Sequence, residues 1–407
     1  MEIKNLNTLQ EMFDEVIDVR DSAGKRHCLS HILVMSVCGI LNKQLDFEDI
    51  YDYAISHKEY FNKKLGLWNG IPCAATFRNV FRLIKPENFL TVFMEWIKKT
   101  VEKQSDKQII IDGKAIRAAT EKSINGNIPY IVSAYLADIG ISIGQVKVDD
   151  KSNEITAIPN LLELLDIEGC IITIDAIGTQ TQIMNQIKKK KGDFILPLKK
   201  NNQGTYREVE EYFKDCLELD FYEKIKFKKL EDTITYTNSY GEEFEVYVTR
   251  ERNHGRLEER IYVKSKNIGW LKDKKWKYVK SIVMAINNVT IHDNSVKYYV
   301  SSVNLPADDL GKIIRKHWQI ENNLHWVLDM YFWEDLSRNR KDNAVENLSL
   351  VRKICYNIIK MDTRYDKFNK NGNLVKLSVK RKMNRYANYP EEFEELLNVI
   401  IPQIYNK

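Results

Sequence analysis

Cysteine is sparse and unpatterned in this chain of 407 residues. The six (Cys28, Cys38, Cys73, Cys170, Cys216, Cys355) include no CxxC pair, which argues against a zinc module and against a disulfide scaffold. Long hydrophobic runs are also missing. The longest, Ile32 to Leu41, is broken by Ser36 and Gly39, and ten residues fall well short of the ~20 that span a bilayer. The first fifteen residues carry Glu2, Glu11, Asp14 and Glu15 without a continuous apolar block, so they do not read as a secretory signal. Neither a Walker-type Gly-x4-Gly-Lys-Ser/Thr loop nor a GxGxxG after a strand occurs, which leaves a nucleotide-binding α/β enzyme without support. These absences suggest a soluble intracellular protein with reduced thiols.

Apolar residues make up 43% and aromatics 11%, enough to bury large cores, and the length suggests two or three domains. The net charge is only +5, but it is unevenly spread. Between Lys360 and Arg385 nine basic residues stand against two acidic ones, a window of +7 that leaves −2 to the rest. Such a block suits a polyanion partner or, more blandly, a solvated lysine-rich surface.

Residues 1–104 show apolar residues at three-to-four spacing, which predicts a helical domain with Asp46 and Thr76 as N-caps and Pro86 opening a helix. The segment Thr76 to Arg82 puts Arg78 and Arg82 one turn apart, suited to a DNA groove or to a supporting bundle. Residues 105–200 alternate strands with helices and read as an α/β region. Gln108 to Asp112 and Cys170 to Asp175 are apolar strands that each end in Asp. Pro129–Leu136 and Ile141–Val148 read as a hairpin, Asn160–Leu165 as a helix after Pro159, Thr179–Lys191 as a helix ending at Gly192, and Phe194–Leu198 as a buried strand. Residues 201–303 are mostly β. Residues 304–360 return to helix, with one element from Asp308 to about Met330 and another from Asn343 to Lys360, and 361–407 form a basic tail and helix.

Two strands ending in carboxylates matter because ligands of open α/β sheets gather at the carboxyl ends of strands. If the strands are neighbours, Asp112 and Asp175 meet and repel, so a proton or a cation must intervene, and Mg²⁺ suits oxygen ligands and phosphates. A strand-end cap is the bland alternative for each. On an ideal helix with Ile320 at 0°, Leu324, Val327 and Tyr331 fall within about 40° and form the core stripe. Glu321 falls at about 100°, flanked by His317, Leu328 and His325, where it could be a ligand or could pair with a histidine or Arg315.

Several segments in one order resemble the ISAs-type, or H-repeat-associated, insertion-sequence transposases of the DDE superfamily. They are Gln108–Arg117, Lys151–Ile155, Ile158–Leu165, Thr173–Gln180, Leu198–Asn201, Arg252–Arg260, and His317–Asp329 with Glu334-Asp335 and Glu346-Asn347. The likeness runs from about Asp18 to the C-terminus. It implies an α/β fold with an RNase-H-like catalytic core, a β-rich insertion before the last catalytic helix, an N-terminal helical domain and a helical C-terminus. By motif, Asp112, Asp175 and Glu321 are the catalytic and metal-binding acids, holding two Mg²⁺ with Mn²⁺ as a substitute. His317 and His325 support the catalytic helix. The wider superfamily's Tyr-x2-Arg-x3-Glu-x6-Lys pattern is replaced here by Ile314, His317, Glu321 and Leu328.

The resemblance further implies metal-dependent cleavage and strand transfer of an insertion sequence, with double-stranded DNA (terminal inverted repeats and target) as partner. It also implies a homodimer on DNA, no membrane, and a bacterial cytoplasmic location at the nucleoid. DNA-contact candidates are Lys114, Arg117, Lys199, Lys200, Arg256, Arg260, Lys380, Arg381 and Lys382, while the run Lys188–Lys191 reads rather as a solvated helix end. A cleavage-dead DNA-binding relative and a stand-alone metal-dependent nuclease remain as alternatives.

Overall fold

The structure, a computed structural model, describes residues 5–22, 25–101, 107–119, 128–148, 154–199, 202–218, 220–225, 231–253, 256–271, 274–288, 294–370 and 372–400. Six helices come first: α1 (Asn5–Asp14), α2 (Leu29–Leu41), α3 (Phe47–Ser56), α4 (Lys58–Leu65), α5 (Ala74–Leu83) and α6 (Pro86–Thr100). Every residue of α2 is buried, as expected of a helix that is apolar on all sides. Asp46 caps α3 by accepting the Asp49 N–H at 2.8 Å, and Pro86 opens α6, where its missing N–H costs nothing. Thr76 is not a cap. Helix α5 starts two residues earlier, after extended Cys73.

The chain continues with β1 (Gln108–Ala115), β2 (Tyr130–Leu136), β3 (Ile141–Lys147), α7 (Glu154–Leu164), β4 (Ile171–Ile174), α8 (Thr181–Lys189) and β5 (Asp193–Leu198). Then come α9 (Gln203–Cys216), α10 (Phe221–Lys224) and five strands, β6 (Glu231–Thr237), β7 (Glu243–Asn253), β8 (Arg256–Ser265), β9 (Ser281–Asn288) and β10 (Asn294–Ser301). Helix α11 (Ala307–Lys316), a π-helical turn (Ile320–His325), α12 (Trp326–Phe332) and α13 (Ala344–Met361) follow. A two-residue ladder β11 (Lys367–Phe368) and β12 (Leu374–Val375), then α14 (Val379–Asn388), α15 (Pro390–Glu395) and a π-helical turn (Leu396–Ile400), are the last described elements. No helix among the described residues is long and apolar enough to cross a membrane. The six cysteines are all free thiols.

Helix α7 runs through Pro159, so the helical pattern of Asn160–Leu165 continues an element that begins at Glu154. One local expectation fails for a readable reason. Helix α8 is shorter than expected: Thr179 turns aside to donate its hydroxyl to the Pro197 carbonyl (2.7 Å), and Lys191, not Gly192, takes the left-handed turn at φ 59°. Gly192 is needed for another reason, because a Cβ there would lie 3.1 Å from the Ile167 carbonyl oxygen.

The chain divides into two compact units, one of residues 104–112 and 152–320, the other of residues 1–103, 113–151 and 321–407. The first is rich in strands. Parallel β1, β4 and β5 lie side by side, and β10, β9, β8, β7 and β6 extend that sheet antiparallel beyond β5. Helix α11 covers one face, burying Ala307, Leu310 and Ile314 against Ile171, Ile195, Tyr247, Tyr262 and Val283. Gly311 permits this approach, since a Cβ there would lie 2.7 Å from the Tyr262 ring. On the other face α9 stacks Phe213 on Tyr298 with ring centroids 5.9 Å apart.

The second unit is mostly helical. Helix α13 is buried along almost its whole length and packs against α2, α5, α6, α14 and β3. Its polar residues close backbone groups that would otherwise be stranded. Asn347 donates to the Phe81 and Ile84 carbonyls at the end of α5 (2.8 and 2.9 Å). Asn357 brackets Ser142 of β3, accepting its N–H at 2.9 Å and donating to its carbonyl at 2.7 Å. The hairpin β2–β3 turns through Gly140 at φ 86°.

Candidate active site

In the strand-rich unit, β1 and β4 pair in register from Gln108 opposite Ile171 to Ile111 opposite Ile174. The next residues are Asp112 and Asp175. One step beyond these pairs, the chain at Asp112 continues β1 while the chain at Asp175 leaves β4, the two paired strand backbones lying ~4.8 Å apart as sheet neighbours do. Side chains alternate along a strand, so Gln108, Ile110 and Asp112 share a face with Ile171, Thr173 and Asp175. Strand β4 stops at Ile174. Asp175, exposed, then enters a tight turn closed by Gly178 donating its N–H to the Asp175 carbonyl (2.8 Å). Gly178 is required because a Cβ would collide with Ile174 at 2.4 Å.

The same face carries a polar relay. Gln108 donates to Thr173 Oγ1 (3.1 Å) and to the Ile313 carbonyl (3.0 Å), and Thr173 Oγ1 lies 3.0 Å from His317 Nδ1. The C-terminal end of α11 is therefore tied down two residues before Asp175. Burial pushes the His317 imidazole down to about 4, against the Asp175 charge and aided by Lys297 and Lys199. Burial, Tyr262 and the Asp175 charge hold the Tyr299 phenol well above its ordinary range. Lys297 lies 5.1 Å from the ring centre of Trp318, which is half exposed. Gln108, Thr173, Lys297 and Trp318 were not singled out from sequence. The period-2 alternation, read backwards from the two Asp residues, would have found the first two.

Glu321 belongs to the helical unit, whose chain boundaries fall at Asp112/Gly113 and at Ile320/Glu321. Its side chain is exposed. The expected continuous helix from Asp308 to Met330 is not what forms. Helix α11 ends at Lys316, and Glu321 lies in the π-helical turn. A π turn holds extra residues and rotates everything after it relative to an ideal wheel. Hence Leu328 and Phe332 are fully buried while Tyr331, assigned to the core stripe, is only partly so. Arg315, a candidate partner for Glu321, instead reaches Glu251 at 2.5 Å. His325 is buried in the helical unit, and burial pushes it down to about 3, helped by the Lys114 and Lys353 charges.

Both histidines fold neutral, so acid must work against the fold. A histidine of ordinary pKa near 6.5 protonates freely once unfolded. The stability each contributes is therefore complete above pH 6.5 and is lost as pH falls toward about 4 for His317. The loss is on the order of 3 kcal/mol for His317 across that window. Urea midpoints measured from pH 7 to pH 4.5 should fall in the wild type, and less in His317→Gln.

Among the described residues, no group of three His, Cys, Asp or Glu side chains is arranged to hold a metal ion. The adjacent Asp pair nonetheless has the donor chemistry of a hard divalent cation: oxygen only, with like charges that a cation relieves.

The basic candidates divide sharply by environment. Lys114 is largely buried in the helical unit, paired with Asp329 and with Glu334 (2.8 Å). Burial would lower its ammonium, but Glu334 and Asp329 outweigh burial and raise it. Arg117 is exposed, with its N–H donated to Asp335 Oδ1 (2.7 Å). Lys199 is exposed at the end of β5. Lys200 lies outside the described residues, as does the side chain of Arg256, whose backbone pairs with Asn253. Arg260 is mostly covered and paired with Glu258 and, at 3.5 Å, Glu251. Lys380 and Arg381 are exposed on α14, whereas Lys382 is buried, donating to the Ile359 carbonyl (3.1 Å) and the Asp362 carbonyl at the end of α13. Arg78 pairs with Glu48, and Arg82 with Asp342 at 2.8 Å. The lysine run also ends in local bonds: Lys188 to Asp193, Lys190 to the Leu162 carbonyl, Lys191 to Glu168.

Lys382 therefore makes a clean contrast. Lys382→Met should cost about 1–3 kcal/mol of stability, because it strands buried carbonyls. Lys380→Ala and Arg381→Ala should leave the thermal midpoint unchanged and weaken DNA binding, as calorimetry and anisotropy would read.

Residues 103–358 match the family model described as a transposase DDE domain, and residues 10–97 match that of the DDE_Tnp_1-associated domain. The chain is 33% identical over 391 residues to the protein named "H repeat-associated putative transposase YhhI" of Escherichia coli strain K12, covering 94% of this chain and 95% of that one. It is 33% identical over 364 residues to "Putative transposase YncI" of Escherichia coli O157:H7, covering 88% of each. A third similar chain, from Xanthobacter autotrophicus, is 32% identical over 267 residues, 65% of this chain and 83% of that one, and is named only for its position in a dhlA 3' region.

Proposed function

We propose, from the premise that the chain belongs to the transposases with a DDE domain, that it cuts and joins DNA strands with a divalent metal held by Asp112, Asp175 and Glu321. The observation that carries this reading is the register of β1 and β4, paired in parallel up to Ile111 opposite Ile174. Asp112 and Asp175 are therefore the next residues on neighbouring segments, Asp112 inside β1, which runs on to Ala115 rather than ending at the Asp, and Asp175 just past the end of β4. The element order β1-β2-β3-α7-β4-α8-β5, with β1, β4 and β5 parallel, supports an RNase-H-like core. Glu321 enters as third ligand by its motif, four residues beyond His317 in the chain.

Magnesium, when bound, supplies charge neutralisation at the scissile phosphate and acidifies the attacking hydroxyl. The chain's own residues do the rest. Asp112, inside β1, and Asp175, between β4 and the turn closed by Gly178, fix the position of the reacting phosphate. Neutral His317, held by Thr173, orients the helix that leads to Glu321 without adding a positive charge to the ligand set. Exposed Lys199, Arg117, Lys380 and Arg381 grip DNA phosphates, a contact that carries affinity rather than sequence information. In the first reaction a water oxygen bonds to phosphorus at the element's end, the P–O3′ bond breaks, and the proton lost by the water is balanced by one gained by the departing 3′-oxygen, leaving a 3′-hydroxyl and a 5′-phosphate. In the second, that 3′-hydroxyl attacks a target phosphate and displaces the target's 3′-oxygen. Two ends must be held together, so the working form is a homodimer on DNA. The setting is the bacterial cytoplasm.

Purified protein should nick a labelled element-end duplex in Mg²⁺ or Mn²⁺, release a 3′-hydroxyl, and join it to a plasmid. Cleavage without joining would make it a nuclease. Binding without cleavage in either metal would make it a DNA-binding relative.

A further inference from the structure

The helical unit contains a cavity of about 510 Å³, between the segment before α2 and the segment after α4. It is remote in sequence from every residue assigned above. Its rim carries Lys25 and Arg26, both exposed, and its wall carries His27 and His31. Its floor is apolar, with Met35 and Leu65. Trp68 also lines it and is 93% exposed, the most exposed large apolar side chain among the described residues. No carboxylate lines the cavity among the described residues; Asp14 acts electrostatically on His31, and Lys25 donates to the Asp18 carbonyl at 3.1 Å. Burial lowers both histidines, so at neutral pH they offer hydrogen bonds rather than charge.

These features belong together in one kind of ligand. An apolar floor takes a flat ring, and an exposed indole stacks on a second ring face. Neutral imidazoles hydrogen-bond to ring edges, and a basic rim takes a phosphate. The volume is large enough for a single nucleotide. We propose that this cavity is a nucleotide-binding site, occupied by one unpaired nucleotide of a DNA strand, with its base against Trp68 and its phosphate against Lys25 and Arg26. The choice of DNA as the source rests on the transposase reading; the site's chemistry does not.

The test measures binding, not cleavage, and so separates the two. The full chain in EDTA is titrated against fluorescein-labelled oligo-dT, the corresponding blunt duplex, and dTMP as competitor. Trp68→Ala should weaken oligo-dT binding about tenfold and leave blunt-duplex binding unchanged. Lys25→Gln/Arg26→Gln should weaken it as much and flatten its salt dependence. Competition by millimolar dTMP as effective per nucleotide as the oligomer would keep the site and assign it to free nucleotide. Trp68 and the rim are exposed, so the variants should keep the wild-type thermal midpoint. Wild-type affinity for oligo-dT in both variants, or no binding by the wild type, would overturn the proposal whatever the cleavage assay shows.

Discussion

Replacing Glu334 by leucine is expected to destabilise the protein by about 3–5 kcal/mol, the cost of breaking a buried ion pair from one side. Glu334 is 1% exposed and lies at the centre of a polar chain inside the helical unit. It accepts from Lys114 at 2.8 Å and from Ser349 at 2.7 Å; Lys353 donates to Ser349 and to Gln145, each at 2.7 Å. Burial alone would raise the Glu334 carboxyl, but Lys114, Lys353 and Arg352 pull it far below its ordinary value. Burial pushes the Lys353 ammonium down to about 8, with Lys114 and Arg352 adding to the fall. Removing the carboxylate leaves Lys353 and Arg352 buried beside a leucine and leaves Lys114 with Asp329 alone. The urea midpoint reads the loss, and Glu334→Gln, which keeps an acceptor for Ser349, should lose less. The same chain has a bearing on function. Lys114 follows Asp112 by two residues, and Asp329 and Glu334 follow Glu321 within the same stretch of chain. Glu334→Gln should therefore lower cleavage more than its thermal midpoint predicts.

The second large effect is expected at Asp175. If Asp175 is a metal ligand as proposed, Asp175→Asn keeps the shape and removes a ligand charge, so cleavage should fall by at least ~10³-fold, about 4 kcal/mol of transition-state stabilisation. In EDTA the same variant should keep the wild-type thermal midpoint, because Asp175 is exposed. Activity falling while the thermal midpoint holds is a signature that misfolding cannot produce.

Local pattern made much of this molecule legible. The ten-residue apolar run became the fully buried α2. The two strand-plus-Asp segments became neighbouring parallel strands, and Asp46 and Pro86 did the jobs their chemistry suggests. What escaped was set by distant partners. Lys382 looks like its exposed neighbours in a basic tail, yet carbonyls at the end of α13 draw it inside. Lys114, two residues past Asp112, reads as a phosphate contact beyond a strand end, but it lies inside β1 and its acidic partners are more than 200 residues on. The π turn at Glu321 cannot be read from a helical wheel, because a wheel assumes the very regularity that the turn breaks.

The central claim is that Asp112, Asp175 and Glu321 act as one metal site. Calorimetric titration of Mn²⁺ into the wild type and into Asp112→Asn, Asp175→Asn and Glu321→Gln, each also assayed for end cleavage, tests it most directly. The account predicts that all three variants lose tight Mn²⁺ binding and cleavage together. Wild-type Mn²⁺ affinity with intact cleavage in Glu321→Gln would contradict it.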